Sequence, residues 1–135
     1  MKGIADTGLI VAFCNRNDLH HSWAVEVAGR ISEPLLTCEA VLAEAASHLG
    51  SSSLVLELVS EQMLRIAFDC ARNLETLLDL ARRYQDRQPD LADLCLIRMS
   101  ELYPKHVVIT VDKSDFRVYR RNRREAIPLL YPPGV

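Results

Sequence analysis

Short apolar runs alternate along this chain with longer stretches of helical period, and no other feature limits its folds as strongly. Gly3-Ile4-Ala5 reads as a strand ending at Asp6, after which Thr7-Gly8 opens a helix through Leu9-Ile10-Val11-Ala12-Phe13. Asp18 is placed to cap a second helix running through Ile31. Pro34-Leu35-Leu36-Thr37 is the next strand, followed by a helix over 38–49, a Gly50-Ser51-Ser52-Ser53 break that caps another helix, and a strand over 63–68. A leucine stripe predicts a helix over 73–85, and 90–102 reads as a strongly apolar helix. The β-branched run 106–111 is a strand, and 127–130 is a short edge strand, where Pro128 is tolerated. Strands that alternate with helices need crossovers, which are right-handed and leave the sheet parallel and covered on both faces. The expected fold is α/β: a three-layer α/β/α sandwich with a central, mostly parallel β-sheet. Residues 1–135 form it as a single domain, since no repeat, linker or low-complexity stretch divides them.

Such a sheet binds ligands at the carboxyl ends of its strands, and five acidic residues fall near element ends: Asp6, Glu44, Asp93, Asp112 and Asp115. An Asp behind a strand is equally well a helix cap, so Asp6 and Asp112 each read both ways singly. Two of them behind two different strands favour a site. Glu44 stands in Ala40-Val41-Leu42-Ala43-Glu44-Ala45-Ala46, where an unpaired buried carboxylate is costly. Glu39 already takes the solvated place near that helix start, although an exposed Glu44 beside Ser47 and His48 is the other reading. Asp90 and Asp93 share one side of a first helical turn, Asp90 being the better cap and Asp93 the better ligand. Asp112 and Asp115 flank a tight turn, which favours Asp by turn chemistry alone, and Asp112 is the nearer to its strand.

Carboxylates gathered at one sheet edge call for a cation. The set is rich in Asp and Glu and poor in nearby Cys, so Mg²⁺ or Mn²⁺ fits better than zinc. One or two ions would serve there, and a pair would suit in-line displacement at a phosphodiester. The formal net charge of −2 gives no global pull on nucleic acid. Arg117, Arg120, Arg121, Arg123 and Arg124 nevertheless crowd one stretch, which is either a solvated surface or a local patch for phosphate. The four cysteines show neither CxxC nor zinc spacing and are expected to be buried, reduced thiols. His20 and His21 suit a polar helix start, His48 and His106 stand alone, and Ser51-Ser52-Ser53 is a cap without nucleophile context. A signal-peptide pattern and a bilayer-length apolar run are both missing, which predicts a cytoplasmic protein with no membrane partner.

Asp6-Thr7-Gly8 matches the aspartic-protease triplet, but those proteases are built mainly of strands and this chain is dominated by helical period. A haloacid-dehalogenase phosphatase would carry a second Asp where Gly8 stands, and a receiver domain would carry an acidic pair near the first strand's end. The ordered set Asp6-Thr7-Gly8, Val41-Leu42-Ala43-Glu44, Asp90-Leu91-Ala92-Asp93 and Thr110-Val111-Asp112-Lys113-Ser114-Asp115-Phe116 instead resembles the PIN-domain ribonucleases, most closely the small single-domain VapC-type toxins. The resemblance spans essentially the whole chain. It implies a PIN-like sandwich and a Mg²⁺- or Mn²⁺-dependent endoribonuclease, with Asp6, Glu44, Asp93 and Asp112 as the acidic quartet and Asp115 as a supplementary ligand. By the same resemblance Thr7 contributes a hydroxyl near the metal, while Asp90, from its position in the first turn, is expected as a cap or as a group behind the ligands. The arginines from Arg117 onward would meet RNA phosphates, which position a substrate without reading its bases. An antitoxin protein and a homodimer are the partners that the resemblance implies. RNA maturation without an antitoxin, or a non-catalytic cation-binding module, are the alternatives.

Overall fold

The computed structural model describes residues 1–135 and puts β1 (Gly3–Ala5) at the centre of a five-stranded sheet. β2 (Leu35–Thr37) and β3 (Leu64–Ile66) lie on one side of it, β4 (Val107–Ile109) and, at the edge, β7 (Leu129–Leu130) on the other. Every pairing is parallel: Ile4 is in register with Leu36 and with Val108, and Val108 with Leu129. Ile4, Ala5, Val108 and Ile109 have no exposed surface, as expected of central strands covered on both faces.

The crossovers are helical. α1 (Thr7–Cys14) and α2 (His21–Ala28) join β1 to β2, and α3 (Glu39–Leu49) and α4 (Ser52–Ser60) join β2 to β3. α5 (Leu74–Arg83) and α6 (Leu91–Leu102) return the chain to β4. α1 packs on α2 and α3, α3 on α4, and α5 on α6, which lies against β1 and β4. The result is a three-layer α/β/α arrangement around a parallel sheet. α6 is apolar nearly all round because it is sandwiched, with Cys95, Leu96, Ile97 and Met99 wholly buried. Gly50 ends α3 in the left-handed conformation, at φ 67, and the Ser51 hydroxyl accepts from the Leu54 amide to start α4. No helix is long and apolar enough to cross a membrane.

Several local expectations are corrected. Asp18 does not cap a helix reaching Ile31: its carboxylate accepts the His20 amide at 2.8 Å, an Asx turn that delays α2 to His21, and α2 stops at Ala28. The turn after β4 is a short helix, α7 (Lys113–Phe116). The arginine stretch contains a two-stranded hairpin, β5 (Arg120–Arg121) with β6 (Glu125–Ala126). Asn122 and Arg123 turn it with positive φ of 49 and 70, a task usually signalled by glycine and here unmarked. The cysteines are not uniformly buried. Cys38 and Cys95 are, Cys14 is half-buried, and Cys70 is exposed.

Strand order places the topological switch between β1 and β4. From β1 the chain steps outward through β2 to β3, then returns to the opposite flank of β1. A crevice opens beyond the carboxyl ends of two such neighbours, because their connections leave in opposite directions.

Candidate metal centre

Asp6 sits at the base of this crevice. Its backbone amide completes the sheet by donating to the Ile109 carbonyl at 3.1 Å, which brings the end of β1 against the end of β4. Both carboxylate oxygens are then used: Oδ1 accepts from the Thr7 amide at 2.7 Å, and Oδ2 from the Thr110 hydroxyl at 2.6 Å. The Thr110 oxygen in turn accepts the Asp112 amide at 2.9 Å, so one hydroxyl ties the first acidic residue to the fourth. On the other flank Thr37 donates to the Ala5 carbonyl at 3.2 Å. Gly8 is required by this packing, since a Cβ there would collide with the side chain of Val111, just past β4. Asp6 is thus a helix cap that also stands at the crevice between two strand ends, and the two readings of it do not compete.

The other carboxylates surround it at increasing exposure. Asp93 and Glu44 are half-buried, and Asp90, Asp112 and Asp115 stand at the rim. Asp90 is the cap of α6, accepting the Asp93 amide at 2.8 Å, and this leaves the Asp93 carboxylate unengaged by the backbone. Burial pushes the Asp6 carboxyl up to about 6, against its hydrogen bonds from Thr110 and Thr7, and Asp112 and Glu44 add repulsion. Asp93 is pushed up to about 7, by burial first and then by Asp90, Asp6, Asp115 and Asp112. Asp112 is raised by burial and by Asp115 and Asp90. These mutual repulsions join Asp6, Glu44, Asp90, Asp93, Asp112 and Asp115 in one electrostatic cluster, and no ion pair of the molecule includes any of them. Lys113, the nearest lysine in sequence, stacks over the Tyr131 ring at 4.6 Å instead.

Three residues left aside by the sequence reading line the same cleft. Asp18, His20 and His48 share it with Thr7, Gly8, Glu44 and Asp112. His48 follows Glu44 by one helical turn, a spacing that places both on one face of α3 and was the available signal. Asp18 and His20 carry no such mark, because only the α1–α2 turn brings them there. Tyr119 is the other addition, a buried hydroxyl pushed up to about 12 by burial and by Asp93, Asp115 and Asp90, with Arg87 opposing.

The donors suit a hard divalent cation. They are mostly carboxylates, with the His20 and His48 imidazoles in the same cleft and one hydroxyl, Thr7 Oγ1, that is buried without a hydrogen-bond partner. No three His, Cys, Asp or Glu side chains converge closely enough to enclose an ion by themselves.

The predicted arginine set is divided by the fold. Arg117 and Arg124 are exposed, and Arg120 is half-buried, its guanidinium donating to the Arg117 and Tyr119 carbonyls. Arg123 pairs at 3.7 Å with Asp79 of α5. Arg121 is withdrawn from any phosphate surface: it is 6% exposed, grips Glu125, and donates to the Ser100 and Pro104 carbonyls beside the far end of α6. Only Arg117, two residues past Asp115, is close in sequence to the acidic edge.

No protein-family model matches the chain, and no curated protein matches it either.

Proposed function

We propose that this chain is a PIN-like, divalent-metal-dependent endoribonuclease, acting as the toxin of a toxin–antitoxin pair. The observation that carries the reading is the collection of Asp6, Glu44, Asp93 and Asp112, with Asp115 at the rim, at the switch point of a parallel sheet with no protein cation among them. Asp6, Glu44, Asp93 and Asp112 would hold Mg²⁺ or Mn²⁺, and Asp115 and the Thr7 hydroxyl would assist. A bound ion of this kind supplies charge neutralisation to a phosphodiester and to the oxygens exchanged at it. The chain's own contribution is position. Thr7 and Thr110 fix both oxygens of Asp6, the Asp90 cap fixes the first turn of α6 and so Asp93, and the Thr110–Asp112 bond fixes the backbone of the fourth carboxylate. Arg117 and Arg124 are free to meet RNA phosphates.

Purified protein is expected to cleave structured RNA with Mg²⁺ or Mn²⁺ and to stop on chelation. Asp6→Asn and Asp93→Asn should each lower the rate by about 100-fold or more. Undiminished cleavage by the folded variants would sink the assignment. Growth arrest on induced expression, relieved by the product of an adjacent small reading frame, tests the toxin role, whereas harmless expression favours a nuclease of RNA maturation.

The spread of the carboxylates favours one second reading, a non-catalytic module that binds a cation or partner at its acidic edge. Metal binding with no cleavage of RNA or single-stranded DNA would promote it.

A further inference from the structure

Three of the four thiols, far apart in sequence, are gathered by the fold around α6. Cys95 on α6 has no exposed surface and neighbours the buried Cys38 thiol on one side. On the other, its sulfur lies 3.6 Å from that of Cys70, which is exposed. Cys70 belongs to the loop between β3 and α5, and that loop is clamped to α6 beside the sulfur contact. Arg98, three residues beyond Cys95, donates through Nε to Asn73 Oδ1 at 2.9 Å, and Asn73 Nδ2 donates to the Asp69 carbonyl at 2.9 Å. Phe68, buried in the core, anchors the start of the same loop.

We infer that Cys70 and Cys95 form a reversible disulfide pair, the exposed thiol meeting a hydroperoxide and the buried one resolving the product. Cys70 sulfur attacks the peroxide, the O–O bond breaks, and Cys70 becomes a sulfenic acid while the peroxide leaves as an alcohol, or as water from hydrogen peroxide. Cys95 sulfur then attacks Cys70, the S–S bond forms, the S–O bond breaks, and the hydroxyl departs with the Cys95 proton as water. Two thiols lose two electrons and two protons, and the peroxide takes up both. Closing the bond requires the sulfurs to approach by roughly 1.5 Å, a movement available to the exposed Cys70 loop. Cys38, 1% exposed, has no surface on which to meet the oxidant first. The cross-link would tie this loop to α6 two residues past Asp93. It does not depend on the reaction proposed above.

The test uses the full chain. Reduced protein is treated with hydrogen peroxide, unfolded, blocked with N-ethylmaleimide, and digested without reduction for mass spectrometry. A monomer is expected with one internal link between the peptides of Cys70 and Cys95, its free thiols falling from four to two as one pair is consumed, and with full return in dithiothreitol. Cys70→Ser, at an exposed position that leaves the core untouched, should keep its remaining thiols free at the same dose. Cys70 found as a sulfinic or sulfonic acid with Cys95 still alkylated would overturn the inference. A dimer linked through Cys70, or thiol loss at the parental rate in Cys70→Ser, would do the same.

Discussion

The acidic cleft and the β5–β6 hairpin are the two places where this protein concentrates charge, and they treat it in opposite ways. In the hairpin every buried charge is matched. Arg121 is gripped by Glu125 and two carbonyls, and on α6, against which the hairpin packs, Arg98 is held by Glu101 and Asn73. In the cleft five carboxylates surround a buried Asp6 in mutual repulsion, and no lysine or arginine pairs with any of the six. A fold able to pair its charges in one region and leaving them unpaired in another has a destabilised site, the arrangement expected where something from outside completes the charge balance. Hydrogen bonds alone do not offset the burial, since Asp6 receives two and is still raised.

The largest expected effect separates the two regions by the sign of their pH dependence. Asp6 and Asp93 keep protons in the fold to about 6 and about 7, above the ordinary 3.8. Between pH 4 and 7 the folded chain therefore binds more protons than the unfolded one, so in chelator stability falls as pH rises through that window. For Asp6 the loss is on the order of 3 kcal/mol once pH exceeds its folded value. Glu125 has the opposite sign. Hydrogen bonds from Arg121 and Asn122 hold its carboxyl low, so its contribution is present at neutral pH and fades as pH falls through that lowered value. Denaturant midpoints measured from pH 4 to 8 should fall with rising pH in chelator, and millimolar Mn²⁺ should remove most of the fall. A midpoint that rises with pH in chelator would mean that the cleft carboxylates are not destabilising.

Arg121→Ala is the next largest. It leaves the carbonyl of the wholly buried Ser100 without its donor and opens the space filled by the arginine stem, at a cost of about 2 kcal/mol. Cation binding, read per folded molecule by calorimetry, should not change, because the hairpin meets α6 beyond the end that carries Asp93. A loss of affinity equal to that of Asp93→Asn would join the two regions that the fold keeps apart.

Much of this contrast was legible beforehand. The five sheet strands, the six crossover helices and the carboxylate set are written in local pattern: apolar runs, caps at Asp90 and Ser51, and Asp behind strands. What could not be read depends on contacts between distant segments. Thr110 is a polar residue ending a strand until Asp6 arrives beside it, and Asp18 and His20 reach the cleft only through the α1–α2 turn. The hairpin escaped because Asn122 and Arg123 adopt positive φ without a glycine, so Arg121 was grouped with its exposed neighbours by sequence adjacency alone. The cysteine pair escaped because its members are distant: Cys70 and Cys95 are 25 residues apart and meet only when α5 folds back on α6.

The smallest expected effect concerns Arg123, which shares the hairpin with Arg121 and differs from it only in surroundings. Its partner Asp79 lies at 3.7 Å, and both side chains are more than half exposed. Such a pair is worth at most a few tenths of a kcal/mol after side-chain entropy and salt screening. Asp79 also keeps Arg83 at 2.6 Å, so removing Arg123 leaves no carboxylate without a partner. Arg123→Ala should therefore shift the denaturant midpoint within measurement error at moderate salt, two residues from a substitution costing about 2 kcal/mol. If Arg123→Ala instead matched Arg121→Ala, burial would not be what distinguishes the arginines, and the contrast between the hairpin and the cleft would lose its physical basis.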